Sequence, residues 1–506
     1  MTQGVLPFKY EEDKNESGMT ALGGLPVYLD LANVIGLSKS IQKYLKIKAG
    51  GQGWTDSQIV ISLVLLNIAG GSSVSDLNVL ESDKGFCEIL RKTETYGLKR
   101  KVRRALERKW RKEKKRTVPS PSAVFRYLSS FHELYEKPHD VKAYIPEPNE
   151  NLQGLVHVNK ELLEFLQAQL PVKTATLDMD ATLVETNKKE AAYCYKGFKS
   201  YQPLNTWWAE HQVIVHTEFR DGNVPAGFEQ LRVFKAALKC LPAGVEKVRL
   251  RSDTAGYQHE LLRYCDKGEN KRFGKIEFAI GCDVTPAFKE AVSEVEEGQW
   301  KPVYKKVKGK IVQTKTEWAE VCFVPNAICN SKKGCEYRYI AKRELLEEQL
   351  ELPGMESQLT LPFPSIELSG KKYKVFGMVT NMTDDGEALI HWLHERCGKS
   401  EEVHSVMKED LSGGKLPSGD FGENAAWWWI MILALNLNGL MKKLALGSCW
   451  TQKRMKAIRF SIVNIAGRII NHSRSLVVKL SKSHPSFDLL IRARKKIAML
   501  RPLPVT

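Results

Sequence analysis

The stretch TATLDMDATLVE, residues 174–185, alternates with a period of two. Leu177, Met179, Ala181 and Leu183 fall on one side, and Asp178, Asp180 and Thr182 on the other. A strand with that pattern buries one face and aims two carboxylates from the other. KVRLRSDTAGY, residues 247–257, repeats the design: Val248 and Leu250 face inward, while Arg249, Arg251 and Asp253 share the opposite face. Between the two, QVIVHTEFRDG (212–222) reads as a strand with its turn and EQLRVFKAALKCL (229–241) as an amphipathic helix. HELLRYC (259–265) and IEFAIGCD (276–283) follow as a helix and one more strand. Strand, strand, helix, strand ending in Asp, helix, strand is an α/β order that suits a mixed central sheet. Carboxylates at the ends of neighbouring strands can then meet.

Outward from this core the pattern changes. Residues 300–380 hold several strand-like pieces, KPVYKKVKGKIVQTK, AEVCFVP, YRYIAKRE and KYKVFGMVTNM, which read as a β-rich insertion. Within it, ELLEEQLELPGMESQLTLPFP has the acidic residues and prolines of a surface excursion. Next comes SEEVHSVMKEDL, residues 400–411, whose Val403, Val406, Met407 and Leu411 form one apolar stripe at 100° per residue. Glu401, Ser405 and Lys408 lie opposite that stripe, with His404 at its flank.

The chain has 506 residues, 43% hydrophobic and 9% aromatic, and a formal charge of +17. It is long enough for two or three core-burying domains, and the surplus charge favours a polyanionic partner, nucleic acid first. AAWWWIMILALNLNGL (425–440) is too short for the roughly 20 apolar residues of a membrane span and carries two Asn, so it reads as a buried helix. The amino terminus, MTQGVLPFKYEEDKNESG, lacks the pattern of a secretory signal, which makes a cytoplasmic location the expectation. Ten cysteines are spread along the chain. Cys322, Cys329 and Cys335 cluster most closely but lack a CxxC element, so free thiols are expected in place of a zinc site.

Residues 19–92 alternate apolar helical runs with turn signals, and Thr55 and Asp56 stand where a helix cap belongs. In KRKVRRALERKWRKEKKR, 99–116, twelve of eighteen residues are Lys or Arg, a density that repels itself unless an anion lies against it. Arg103, Arg104, Arg108, Lys109, Arg111 and Lys112 are the candidate phosphate contacts, and Trp110 could stack or wedge. Ser120 or Ser122 can cap the helix that follows, with Val124, Phe125 and Leu128 as its apolar stripe.

Three motifs, LDMDATLVE, LRSDTAGY and RCGKSEEVHSVMKEDL, together with the later LPSGDFGENAAWWWIMILALNLNG, resemble bacterial insertion-sequence transposases that carry an Asp-Asp-Glu triad on an RNase H-like fold. The β insertion between the second Asp and the Glu resembles the hairpin-forming, cut-and-paste branch. The resemblance implies that Asp180, Asp253 and Glu401 are metal ligands and that Lys408, seven residues after the Glu, is catalytic and holds phosphate. It also implies Mg²⁺ as cofactor, two ions, with Mn²⁺ able to substitute. Asp178 and Glu402 remain rivals to Asp180 and Glu401. That branch places an Arg four residues before the Glu; Cys397 stands there, and Arg396 is the nearest candidate clamp on DNA. Trp300 and Trp318 are the location-based candidates for stacking a flipped base, and packing is the competing role for each.

The expected organisation is a helical, basic DNA-binding domain (1–150), a first part of the RNase H-like core (151–285), the β-rich insertion (286–380), a second part of the core (381–450) and a basic C-terminal region (451–506) for DNA or dimer contact. The implied partners are double-stranded DNA, as terminal inverted repeats and target, and a second copy of the chain. The implied setting is the bacterial nucleoid. Two alternatives remain: a DNA-binding regulator derived from such an enzyme, and another RNase H-like nuclease that cuts without joining.

Overall fold

The computed structural model of the chain describes residues 18–48, 53–105, 116–135, 143–307, 309–325, 337–346, 363–368, 370–472 and 475–501. Arg108, Lys109, Trp110, Arg111 and Lys112, Cys329 and Cys335, and most of the acidic excursion lie outside these residues.

After a two-residue strand, β1 (Met19–Thr20), the alternating stretch forms β2 (Thr174–Ala181) at the heart of a ten-stranded sheet. The first pair of strands after it, β3 (Val184–Glu185) and β4 (Ser200–Tyr201), stands apart as a small ribbon. The sheet continues with β5 (Leu204–Trp208), β6 (Val213–Glu218), β7 (Lys247–Ser252) and β8 (Glu277–Cys282) in the spatial order β6-β5-β2-β7-β8. The first three strands pair antiparallel, and β2, β7 and β8 pair parallel. This is the mixed sheet expected of an RNase H-like core. β5 is an addition to the sequence reading. Its LNTWW segment is buried on both faces, so no polar alternation marks it.

The insertion extends the same sheet. β9 (Lys301–Val307), β10 (Lys310–Val321), β11 (Arg338–Leu345), β12 (Ser365–Leu368) and β13 (Lys371–Thr380) continue it from β8 in the order β13-β11-β10-β9, with β12 on β13. All of these new pairings are antiparallel. The insertion is therefore hydrogen-bonded to the central sheet along its β8 edge.

Helices cover the sheet. The N-terminal set is α1 (Pro26–Ile35), α2 (Leu37–Tyr44), α3 (Asp56–Ala69), α4 (Leu77–Ser82), α5 (Lys84–Glu94) and α6 (Pro121–Leu128). Thr55 caps α3 in a full capping box with Gln58, and Ser120 caps α6 through the Ala123 N–H. On α6 the buried stripe is Val124, Tyr127 and Leu128; Phe125, expected inside, is 39% exposed because it falls a quarter turn off that stripe. α7 (Glu150–Gln169), α8 (Gln230–Cys240), α9 (His259–Asp266), α10 (Pro286–Ser293), α11 (Gly386–His394) and α12 (Lys399–Ser405) follow.

α13 (Phe421–Leu440) is the central pillar, and every one of its residues is buried. The continuous helix Phe421–Leu446 is long and apolar enough to cross a membrane, yet its apolar surface is spent on the protein's own core. The two Asn near its C-terminal end are hydrogen-bonded. Asn436 accepts from the Ile214 N–H at 2.8 Å and donates to Asn159 Oδ1 at 2.7 Å and to the Ile214 carbonyl at 2.8 Å; Asn438 accepts from Tyr28 Oη at 2.8 Å. Those bonds replace the water the amides would otherwise lose.

The two ends of the chain meet. β14 (Gly467–His472) pairs with β1 and with β15 (Ser475–Leu480), and α14 (Phe487–Met499) packs on α1 and on the turn Met441–Leu446. Met455, Ile458, Ile462 and Val463 share one apolar cluster with α1, α3 and α13. Part of the basic C-terminal region is thus core.

One buried ion pair crosses the sheet. Asp178 and Arg251 are register partners on β2 and β7, joined by Nε to Oδ1 at 2.6 Å and by Nη2 to Oδ2 at 2.9 Å, with both side chains under 5% exposed. Removing one member of such a pair strands the other charge. Asp178→Ala is expected to cost about 3–5 kcal/mol of stability, read as a lower urea midpoint at unchanged m-value; a loss under about 1 kcal/mol would show that the pair does not organise the sheet.

His211, 1% exposed, sits in the turn between β5 and β6. Gln167 exchanges bonds with the Val172 backbone, so its Oε1 faces His211 as acceptor and the imidazole Nε2 donates to it at 3.0 Å. Burial, aided by Lys443, pulls this imidazole down to about 4. The unfolded chain takes up a proton below about 6.5 that the folded protein refuses, so the stabilising effect is present above that pH and is lost towards 4. Between pH 7 and 5 the loss from this group is about 2 kcal/mol. His211→Gln should flatten the pH dependence of the urea midpoint by that amount, and an unchanged slope would refute it.

Candidate active site

The parallel register of β2 and β7 pairs Met179 with Ser252. Asp180 and Asp253 are the next residues on the two strands, so their carboxylates leave the sheet at the same level. Asp253 caps the short turn Thr254–Gly256, accepting from the Ala255 N–H at 3.1 Å. Ser252 Oγ donates to the Met179 carbonyl at 3.2 Å and ties the two strand ends together.

Asp180 is the most perturbed of these groups. Burial pushes its carboxyl up to about 6; the Arg396 guanidinium and a bond from Ser400 oppose that rise, and the nearby Asp253 carboxylate adds to it. Arg396 Nη2 lies 3.0 Å from Asp180 Oδ2, and Arg396 Nε is buried with no partner. Asp178, the rival on the same strand face, is wholly committed to Arg251. Arg251 in turn reaches the Trp392 carbonyl at 2.6 Å and Glu395 at 3.1 Å, with the Trp392 ring 5.1 Å from its guanidinium.

α12 brings the third group. Gly398 turns the chain with φ of 76°, a conformation that glycine adopts without strain, and α12 starts at Lys399. Ser400 bonds Asp180, and His404, one turn on, feels the Arg396 and Lys408 charges; burial first, then those cations, pull its imidazole down to about 4. Lys408 Nζ donates to the Leu183 carbonyl, just past β2, at 3.2 Å. Glu401 is exposed and lies three residues before His404 on the same helix. Glu402 is exposed as well, and its charge is felt by Lys442 and Arg454.

Ser405 does not share the side of Lys408 as its spacing suggests. It donates to Glu409 at 3.1 Å and accepts from Arg454 at 3.0 Å. The reason is a π-helical turn, Val406–Asp410, which adds a residue to the turn and shifts the phase of all that follows. Met407 and Leu411 still reach the core.

Trp300 and Trp318 are 7% and 4% exposed. The Arg343 guanidinium lies 4.2 Å from the Trp300 ring, and Trp318 has Gly386 against its six-membered ring and Lys301 Nζ at 5.0 Å. Both rings are packed, Trp300 under Arg343 and Trp318 between the insertion and α11. Arg103 and Arg104 are exposed on the described part of the basic run.

Two carboxylates that leave neighbouring parallel strands at one level are oxygen donors of the kind a hard divalent cation takes. Among the described residues, Asp180, Asp253 and Glu401 are not brought within 4.8 Å of one another; the set whose ligand atoms do lie that close together is a different one, His132, Glu190 and Asp420. The first N–H groups of α13 already occupy part of it, Phe421 donating to Glu190 at 2.8 Å and Gly422 to His132 Nδ1 at 3.3 Å. Three residues so far apart along the chain give no spacing signal, and sequence reading missed them. It also missed Ser400, a residue type too common on helices to stand out.

No curated protein sequence matches the chain. Among solved structures, it is similar to the piggyBac transposase in its synaptic complex with hairpin DNA, at 10% identity and a TM-score of 0.40, covering 89% of this chain and 83% of that one. It is also similar to the Drosophila P element transposase in a strand transfer complex, at 14% identity and a TM-score of 0.21, covering 55% and 53%. The sequence itself matches the transposase DDE domain, group 1, over residues 12–502. With nearly its whole length inside that match, the chain belongs to the DDE transposase family.

Proposed function

We propose that this transposase cleaves the ends of an insertion sequence and joins the freed 3′ hydroxyl ends to target DNA at the centre formed by Asp180, Asp253 and Glu401. The observation that carries the reading is the Asp180 carboxyl, raised to about 6 where it meets Asp253 at the ends of adjoining parallel strands. Asp180, Asp253 and Glu401 would hold divalent cations, Mg²⁺ by donor type. Such ions activate an attacking oxygen and stabilise the leaving one in an in-line displacement at phosphorus.

The chain's own groups do the remaining work. Arg396 neutralises Asp180 across 3.0 Å in this state, and its unpartnered Nε is a donor available to a phosphate oxygen. Lys408, held over the end of β2 by the Leu183 carbonyl, brings a second positive charge to the same place. His404 stays neutral between those cations and keeps water from the helix–strand junction. Arg103, Arg104 and the rest of the basic run would bind the DNA backbone, and two copies of the chain would hold two ends together. The setting would be the cytoplasm, on DNA.

The test is a purified protein with Mg²⁺ and labelled DNA carrying the ends of its element. Wild type is expected to nick at the ends and join them to a target. Asp253→Ala and Glu401→Ala should bind DNA as wild type does but lose roughly a thousandfold or more of both activities. Glu402→Ala should stay within about threefold of wild type, because its charge acts on Lys442 and Arg454. Cleavage by Glu401→Ala but not by Glu402→Ala would move the ligand to Glu402, and DNA binding without cleavage by wild type would favour the regulator.

A further inference from the structure

The distal parts of β9 and β10 form a two-stranded ribbon whose side chains are exposed on both faces among the described residues. Register partners Tyr304–Gln313, Lys305–Val312 and Lys306–Ile311 define it. Tyr304, Lys306 and Ile311 lie on one face; Lys305, Lys310 and Val312 lie on the other. All six side chains are exposed, Ile311 at 76% and Val312 at 49%. An isolated ribbon of two strands is marginally stable in water, and here it is anchored only at its root. There the Tyr304 N–H donates to Glu387 of α11 at 2.6 Å and Thr314 Oγ1 donates to the Val303 carbonyl at 2.7 Å.

The register also fixes where the ribbon points. Asp253 follows Ser252, the partner of Ile280, and is level with Gly281; Gly281 pairs with Met378, Met378 with Ile340, and Ile340 with Glu320. Glu320 is therefore level with Asp253, and alternating antiparallel pairings carry β10 back past that level to Lys310. Residues 310–313 stand seven to ten positions beyond it, roughly 20–30 Å at 3.3 Å per residue. The ribbon projects from the end of the sheet that carries Asp180 and Asp253. Its root lies five strand spacings from β7, roughly 24 Å away.

We propose that this ribbon inserts into the major groove of the duplex on which the carboxylates act. Lys305, Lys306 and Lys310 contact phosphates on the groove walls, and the face that carries Tyr304 and Ile311 meets base edges and thymine methyls. The major groove admits a two-stranded ribbon, and apolar side chains between lysines match the thymine methyls on its floor and its anionic rim. Lysines on an edge strand also guard against pairing with other chains, which is the competing role. The inference rests on the transposase reading.

The experiment measures binding of the full chain to a labelled mixed-sequence duplex several turns long, across a range of salt. Wild type is compared with the triple variant Lys305→Gln, Lys306→Gln, Lys310→Gln and with Ile311→Ser, and each protein is also assayed for cleavage of element ends. The triple variant should bind at least tenfold more weakly at low salt, and its slope of log K against log salt should be shallower by about two to three, at 0.9 per lost phosphate contact. Methylation at guanine N7, in the major groove, should weaken wild type more than the triple variant. Equal slopes and equal sensitivity to methylation, with aggregation of the triple variant, would overturn the proposal in favour of edge protection. If wild type cuts ends while these differences are missing, this inference alone fails; if wild type neither binds nor cuts, the functional reading fails with it.

Discussion

The register of β2 against β7 is the constraint on which the rest depends. A slip by one residue would turn Asp180 into the core and expose Met179, since successive side chains alternate between faces. The Asp178–Arg251 pair resists that slip, because the two charges meet with both bonds made only when Asp178 sits opposite Arg251. Measured against a well-packed apolar pair, a buried ion pair adds little net stability. What it contributes here is alignment. Arg251 also holds the last turn of α11 through the Trp392 carbonyl and Glu395, so the strand register is transmitted to the segment that begins with Arg396 and leads into α12.

Behind this layer, α13 turns a sheet with helices into a single solid. Its buried Trp427 and Trp428 each find an acceptor, the Ser412 carbonyl at 3.2 Å and Thr217 Oγ1 at 3.0 Å, which lets large rings fill the core without stranding an N–H. Ser412 follows the π turn, and Thr217 lies on β6 beside β5. Two walls of the site, the α12 side and the sheet side, are therefore braced against one helix. Arg459 adds a third tie, donating to the carbonyls of Asn67, Ile68 and Asp410, and so joins the N-terminal helices to the π turn.

Much of this was legible in the sequence where one face of an element is polar. β2, β6, β7 and β8 announce themselves by alternation, and α8 and α9 by a 3.6-residue stripe. β5 did not, because both its faces are buried. The choice of Asp180 over Asp178 was only partly legible: both point the same way from β2, and what separates them is Arg251, a partner 73 residues away. Glu401 and Glu402 are adjacent on a helix, and their difference lies in Lys442 and Arg454, again remote in sequence. The misplacement of Ser405 has a local cause, a π turn that no residue pattern advertises. The insertion was legible as β structure, while its fusion with the catalytic sheet depends on backbone pairing between β8 and β13, which side-chain patterns do not encode.

The meeting of the two chain ends sets the order in which this protein can be made. β1 has no partner until β14 has been synthesised, some 450 residues later, and α1 lacks the apolar cover of α14 until later still. Contacts of such long range form late and slowly. While the ribosome is still translating, the N-terminal helices wait with part of their apolar surface uncovered, the state in which chaperones and proteases find their substrates. A chain that stops before β14 would leave β1 unpaired and the apolar face of α1 uncovered.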